Sequence, residues 1–220
     1  AHPLWFVNDS TGEHPYPFTM MRCENGEIIG STIAPDGGLN DIGKYRTVKQ
    51  AFYDWTINYL QTLSNSGRYP HMIWPYHCLI GTPGHNIVAP LFDAVLQWER
   101  NNVGFAIKLT KGSNFKTEHF SAVMAEVPDP SDETTQLNTD FISLFEDADE
   151  ILLAGEARSH CLANTVMDIA NQFDDDSFIK KCILLEDATS DVPGLEHLGE
   201  TFVKDMTVRG MRVVSCADYS

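Results

Sequence analysis

The sequence predicts an α/β protein, a three-layer α/β/α arrangement around a mostly parallel sheet. Strand-sized apolar runs alternate with segments of helical period, and that alternation implies a parallel sheet covered by helices on both faces. The 220 residues, 43% of them hydrophobic, suit one domain (1–220) with a sizeable core.

Residues 1–44 are rich in Pro, Gly, Asp and Asn and carry turn signals such as Ala34-Pro35-Asp36-Gly37-Gly38. They are expected as an ordered, loop-rich region packed on that domain. Val48, Ala51, Phe52, Trp55, Tyr59 and Leu60 then recur at helical spacing. Strands are expected at 71–74, 103–109, 150–154, 182–185 and 211–215. Helices are expected at 87–100, 139–145, 161–173 and 198–208, with a polar loop at 128–135.

Charge narrows the partners. Fifteen Lys+Arg against 31 Asp+Glu give a net charge of −16, which repels phosphate backbones and anionic lipid. Nucleic acid and membrane are therefore not expected as partners, and no apolar run is long enough to span a bilayer. The five cysteines, Cys23, Cys78, Cys161, Cys182 and Cys216, form no CxxC pair, which suggests a reducing compartment and a cytoplasmic protein.

In parallel sheets, chemistry collects at the carboxyl ends of strands. Three segments sit there. Gly155-Glu156-Ala157-Arg158-Ser159-His160-Cys161 follows the strand at 150–154 and places a cysteine at a helix start. There the helix dipole favours a thiolate, and preceding amides can form an oxyanion hole. Most cysteines are simply small buried hydrophobes, so position alone does not decide. Lys111-Gly112, followed by Glu118-His119-Phe120-Ser121-Ala122, comes after the strand at 103–109. A lysine beside a thiol can favour its anion, although most lysines are only solvated, and Lys108 and Lys116 compete for the role. The third segment, Trp74-Pro75-Tyr76-His77-Cys78-Leu79-Ile80-Gly81-Thr82, presents His77 on a Pro- and Gly-shaped loop. His77 could ligate a metal together with His2 or His14, though a lone histidine is more often structural.

Taken in this order, the three segments resemble the isochorismatase-like hydrolase superfamily, particularly nicotinamidases and their larger relatives. The resemblance runs from His2 to about Ala217. It rests on Trp74-Pro75-x-His77-Cys78-x-x-Gly81-Thr82, on Lys111-Gly112 with Phe120-Ser121-Ala122, and on Gly155-x-Ala157-x-x-His160-Cys161 with Thr165 and Asp168. It implies that Cys161 is a nucleophile forming an acyl-enzyme and that Lys111 is the catalytic lysine. The amides of Ala157 and Cys161 would form the oxyanion hole, with a cis peptide between Glu156 and Ala157. Trp74 and Phe120 would sandwich a flat substrate ring, with His160 beside them. His77 and His2 would hold a divalent metal, often zinc, and the protein would be a homo-oligomer acting on a small-molecule amide.

The resemblance also implies a catalytic Asp at the end of a first strand and an Asp-x-His just before His2. Neither has a counterpart, because the residues around Asp9 match a later segment of the family. The sequence is thus expected to be an N-terminally incomplete version of a longer protein. Other readings of the same fold are a hydrolase of an isochorismate-type ether or a carbamoyl compound, and a catalytically silent assembly subunit.

Overall fold

The computed structural model describes residues 5–173 and 175–219, and the chain divides between Thr110 and Lys111 into two compact units. Among the described residues no helix is long and apolar enough to cross a membrane.

The first unit is built on an antiparallel sheet. Its strands are β1 (Phe6–Asn8), β2 (Met20–Glu24), β3 (Glu27–Ile33), β4 (Leu39–Thr47) and β5 (His71–Met72), in the order β1-β4-β3-β2-β5. This corrects the expectation of a loop-rich region over 1–44. The β2–β3 hairpin turns on Asn25 and Gly26, both at positive φ (52° and 79°) and flanked by paired Glu24 and Glu27. Positive φ at both central residues is what a two-residue hairpin needs, and Asn-Gly supplies it. The second turn signal, Ala34 to Gly38, links β3 to β4. The strand expected at 71–74 shortens to β5 and pairs antiparallel with Met20 and Met21.

Helix α1 (Tyr53–Ser66) buries Thr56, Tyr59, Leu60 and Leu63 along one stripe, the i, i+3, i+4, i+7 spacing of a core-facing helix. Helix α2 (Ala89–Asn102) follows. The segment 103–109 is not a strand: Val103 caps α2 in the left-handed region, and the Ala106 amide donates to Glu99 Oε1 at 2.9 Å. A helix carboxylate thus takes an amide that a neighbouring strand would otherwise take.

The second unit carries the parallel sheet that the sequence predicts. Strands β6 (Ile151–Glu156), β7 (Cys182–Ser190) and β8 (Arg212–Val214) lie in the order β6-β7-β8, all parallel. Helices α3 (Thr139–Ser143), α4 (Ala163–Ala170), α5 (Ser177–Lys181) and α6 (Glu196–Arg209) complete it. Cys182, Ile183 and Leu184 of β7 are all fully buried, as a central strand covered on both faces requires. One core joins Ile151 and Leu184 to Val166 and Ile169 of α4, Phe178 of α5, and Phe202 and Met206 of α6.

Candidate active site

Strand β6 ends at Glu156, and the chain leaves it through a cis Glu156–Ala157 peptide, as the resemblance implies. Residues Arg158–Leu162 then form one π-helical turn that runs into α4. Local π geometry of this kind is frequent at functional sites. Cys161 lies in the turn, half-buried.

The turn is held from several sides. The Ala157 carbonyl accepts from the amides of His160 (3.0 Å) and Leu162 (3.1 Å), while Asn164 Nδ2 donates to the His160 carbonyl at 2.8 Å. Thr165 Oγ1 donates to the Cys161 carbonyl at 2.7 Å and accepts from the Ala122 amide at 2.9 Å. A single hydroxyl therefore joins the Phe120-Ser121-Ala122 segment to the backbone of Cys161.

Lys111 completes the pair. Its Nζ lies 3.4 Å from Cys161 Sγ and donates to the His119 carbonyl at 2.6 Å. The competing lysines have other partners: Lys108 Nζ meets Glu99 at 2.8 Å and Lys116 Nζ meets Asp129 at 2.7 Å. The Lys116 contact, with Ser131 donating to the same carboxylate, holds Asp129 well below its ordinary value. Within the second unit, no described carboxylate hydrogen-bonds Lys111 or Cys161.

Two histidines flank this pair in sequence. His119 Nδ1 accepts from the Gly112 amide at 3.2 Å, so the neutral ring carries its proton on Nε2. Burial, and then the charge of Lys111, push His119 down to about 4. His160, which pairs with Ser159 Oγ at 2.9 Å and packs its ring 5.6 Å from that of Phe120, is pushed down to about 4 by burial. Both rings are therefore neutral near pH 7.

The remaining candidates belong to the first unit or lie outside the described residues. Trp74 packs edge-on to Phe18, with ring centroids 6.1 Å apart. His77 is exposed, and its Nδ1 donates to the Pro75 carbonyl at 2.7 Å, which leaves Nε2 as the acceptor nitrogen. That is the orientation of a metal-ligating imidazole. His2 lies outside the described residues, and among the described residues no three His, Cys, Asp or Glu side chains are grouped to hold a metal. One oriented histidine is not a ligand set.

The sequence reading missed the partners behind the turn. Arg158 pairs with Asp191 and Ser159 Oγ accepts from the Val192 amide, both across 33 positions. No local pattern joins residues so far apart.

No family model and no curated protein matches the chain. Solved structures do. The yeast nicotinamidase Pnc1p bound to the inhibitor nicotinaldehyde is similar over 97% of this chain and 76% of that one, at 14% identity and a TM-score of 0.51. A second structure of yeast Pnc1p is similar over 66% of this chain and 60% of that one, at 18% identity and a TM-score of 0.47. A pyrazinamidase of Pyrococcus horikoshii, solved in complex with zinc, is similar over 64% and 63%, at 20% identity and a TM-score of 0.39. In these last two comparisons the chain spans less than two thirds of the matched protein. At such identities the likeness concerns the fold alone, which this chain shares with the nicotinamidase of the first comparison.

Proposed function

We propose that this protein is a cysteine hydrolase of a small planar amide, nicotinamide or a close relative, with Cys161 as the nucleophile and Lys111 as its cationic partner. The observation that carries the reading is the 3.4 Å approach of Lys111 Nζ to Cys161 Sγ, in a turn that follows a parallel strand and opens a helix. Support comes from the shared fold with a nicotinamidase that binds nicotinaldehyde, a flat aromatic carbonyl compound.

In this reading the Cys161 thiolate attacks the amide carbonyl carbon, and the Lys111 ammonium offsets the negative charge on sulfur. The amides of Ala157 and Cys161 receive the oxyanion, and Phe120 and His160 flank the ring. The carbon–nitrogen bond then breaks. The nitrogen leaves as ammonia, taking up the proton that the thiol gave up. Water cleaves the remaining thioester, releasing the carboxylic acid and restoring the thiol. All five cysteines are free thiols, in keeping with a cytoplasmic setting.

The test is ammonia release from nicotinamide, with a carbamoyl compound and isochorismate as comparison substrates. The reading expects nicotinamide to be the preferred substrate and turnover to vanish in Cys161→Ala. Full activity in Cys161→Ala would sink it.

A further inference from the structure

The turn that carries Cys161, together with the end of strand β6 before it, is tied at three points to one short stretch of chain. Ser190 Oγ donates to Glu156 Oε2 at 2.6 Å. Arg158 Nε donates to Asp191 Oδ1 at 3.1 Å, and its Nη2 meets Oδ2 of the same carboxylate. The Val192 amide donates to Ser159 Oγ at 2.9 Å. Ser190, the last residue of β7, thus holds the end of β6, while Asp191 and Val192 just after it hold Arg158 and Ser159 of the turn.

The middle tie is the most enclosed, with the Arg158 and Asp191 side chains 17% and 5% exposed. A bidentate guanidinium–carboxylate contact fixes direction as well as distance. Removing one partner of an enclosed pair leaves the other charge uncompensated. Two more carboxylates act on Arg158, Glu186 at 3.8 Å and Glu200, and both are exposed and so weak substitutes. Asp191 rests against Gly199 of α6, where a methyl group would come within 2.6 Å of Asp191 Cγ. Only a glycine leaves that carboxylate its place. None of these groups hydrogen-bonds Cys161 Sγ, so any influence on the sulfur passes through the backbone of the turn.

We propose that Asp191 is a positioning residue: paired with Arg158 and seated on Gly199, it holds the turn so that Cys161 Sγ is presented to Lys111 Nζ. The proposal rests on the reading of Cys161 as the nucleophile. It makes α6, which supplies no group to the site, a determinant of thiol reactivity.

The experiment is the rate of iodoacetamide alkylation at Cys161, followed by peptide mapping, with the melting temperature of each variant recorded. It compares wild type with Asp191→Asn, Gly199→Ala, Arg158→Met, the Arg158→Met/Asp191→Asn double variant and the exposed-site control Val208→Ala. Asp191→Asn and Gly199→Ala should slow alkylation at Cys161 about tenfold, as displacement of a reacting group does. Alkylation at exposed Cys78 and the behaviour of Val208→Ala should not change. The double variant should be no slower than Arg158→Met alone, because the two residues act as one unit. Alanine favours a helix over glycine, so slowing in Gly199→Ala cannot come from weakened helix propensity. Wild-type rates at Cys161 in both single variants, or fully additive slowing in the double, would overturn the proposal. Alkylation needs no substrate, so failure of the nucleophile reading shows separately, as a wild-type Cys161 no faster than a free cysteine.

Discussion

Lys111 Nζ sits 3.4 Å from Cys161 Sγ, and the His119 carbonyl 2.6 Å away fixes the same amine from another side. The lysine is thus aimed by its own loop, and the sulfur by a π-helical turn tied to that loop through Thr165. Two segments fifty positions apart become one arrangement through side chains that hydrogen-bond backbone groups and each other.

Lys111→Met removes the cation and keeps most of the stem's bulk. Turnover should fall about a hundredfold or more, as it does when one charge-stabilising donor is lost. Lys108→Met, whose lysine pairs with Glu99 instead, should leave turnover near wild type. Steady-state kinetics of the two variants check this, and equal losses would contradict the assignment of Lys111.

The cysteines should differ sharply in reactivity. Burial pushes the Cys182 thiol up to about 12, so it should resist iodoacetamide until the protein unfolds. Cys78 and Cys216 are exposed and should react in the folded protein. Peptide mapping after a short pulse, with and without denaturant, reads both. Labelling of Cys182 in the folded protein would contradict the burial of β7.

Acid should weaken the fold in a defined window. His119 and His160 take protons near 6.5 in an unfolded chain but only near about 4 in the folded one. Between those values the unfolded state binds more protons, so stability falls as pH drops from about 6.5 to about 4. Asp129 acts lower, because its stabilisation is present above its ordinary 3.8 and is lost only as pH falls further. Melting temperatures measured across pH 7 to 3 should show the histidine step first, and His160→Gln should reduce it while the His119 contribution remains. A flat profile from 7 to 4 in the wild type would contradict the burial of both rings.

The core of the second unit can be probed at Phe178, which stacks on Phe173 at 5.4 Å and meets Phe145 edge-on at 5.9 Å. Phe178→Ala should cost about 3–5 kcal/mol, the range for deleting a buried aromatic. Denaturant unfolding measures it, and a loss well under 1 kcal/mol would place Phe178 outside the core.

What the sequence made legible follows from how locally each feature is encoded. The strands and helices around Cys161 are marked by apolar runs and helical period, and β6, β7 and α6 appear close to where those patterns place them. The antiparallel sheet of the first unit was hidden because β4, Leu-Asn-Asp-Ile-Gly-Lys-Tyr-Arg-Thr, is largely exposed and has little apolar alternation. Asn25-Gly26 is the local signal for its β2–β3 hairpin. The run at 103–109 has the composition of a strand, but Phe105 is 89% exposed and the Ala106 amide bonds to Glu99. A strand needs a partner as well as a pattern. Asp191 was invisible for the opposite reason, since its meaning comes wholly from a contact 33 positions away.

The most direct measurement of the central claim is acid-quenched mass spectrometry of the protein during incubation with nicotinamide. The account predicts an acyl adduct on the peptide containing Cys161, absent in Cys161→Ala and diminished in Lys111→Met. Ammonia release that continues in Cys161→Ala, with no adduct on that peptide, would contradict it.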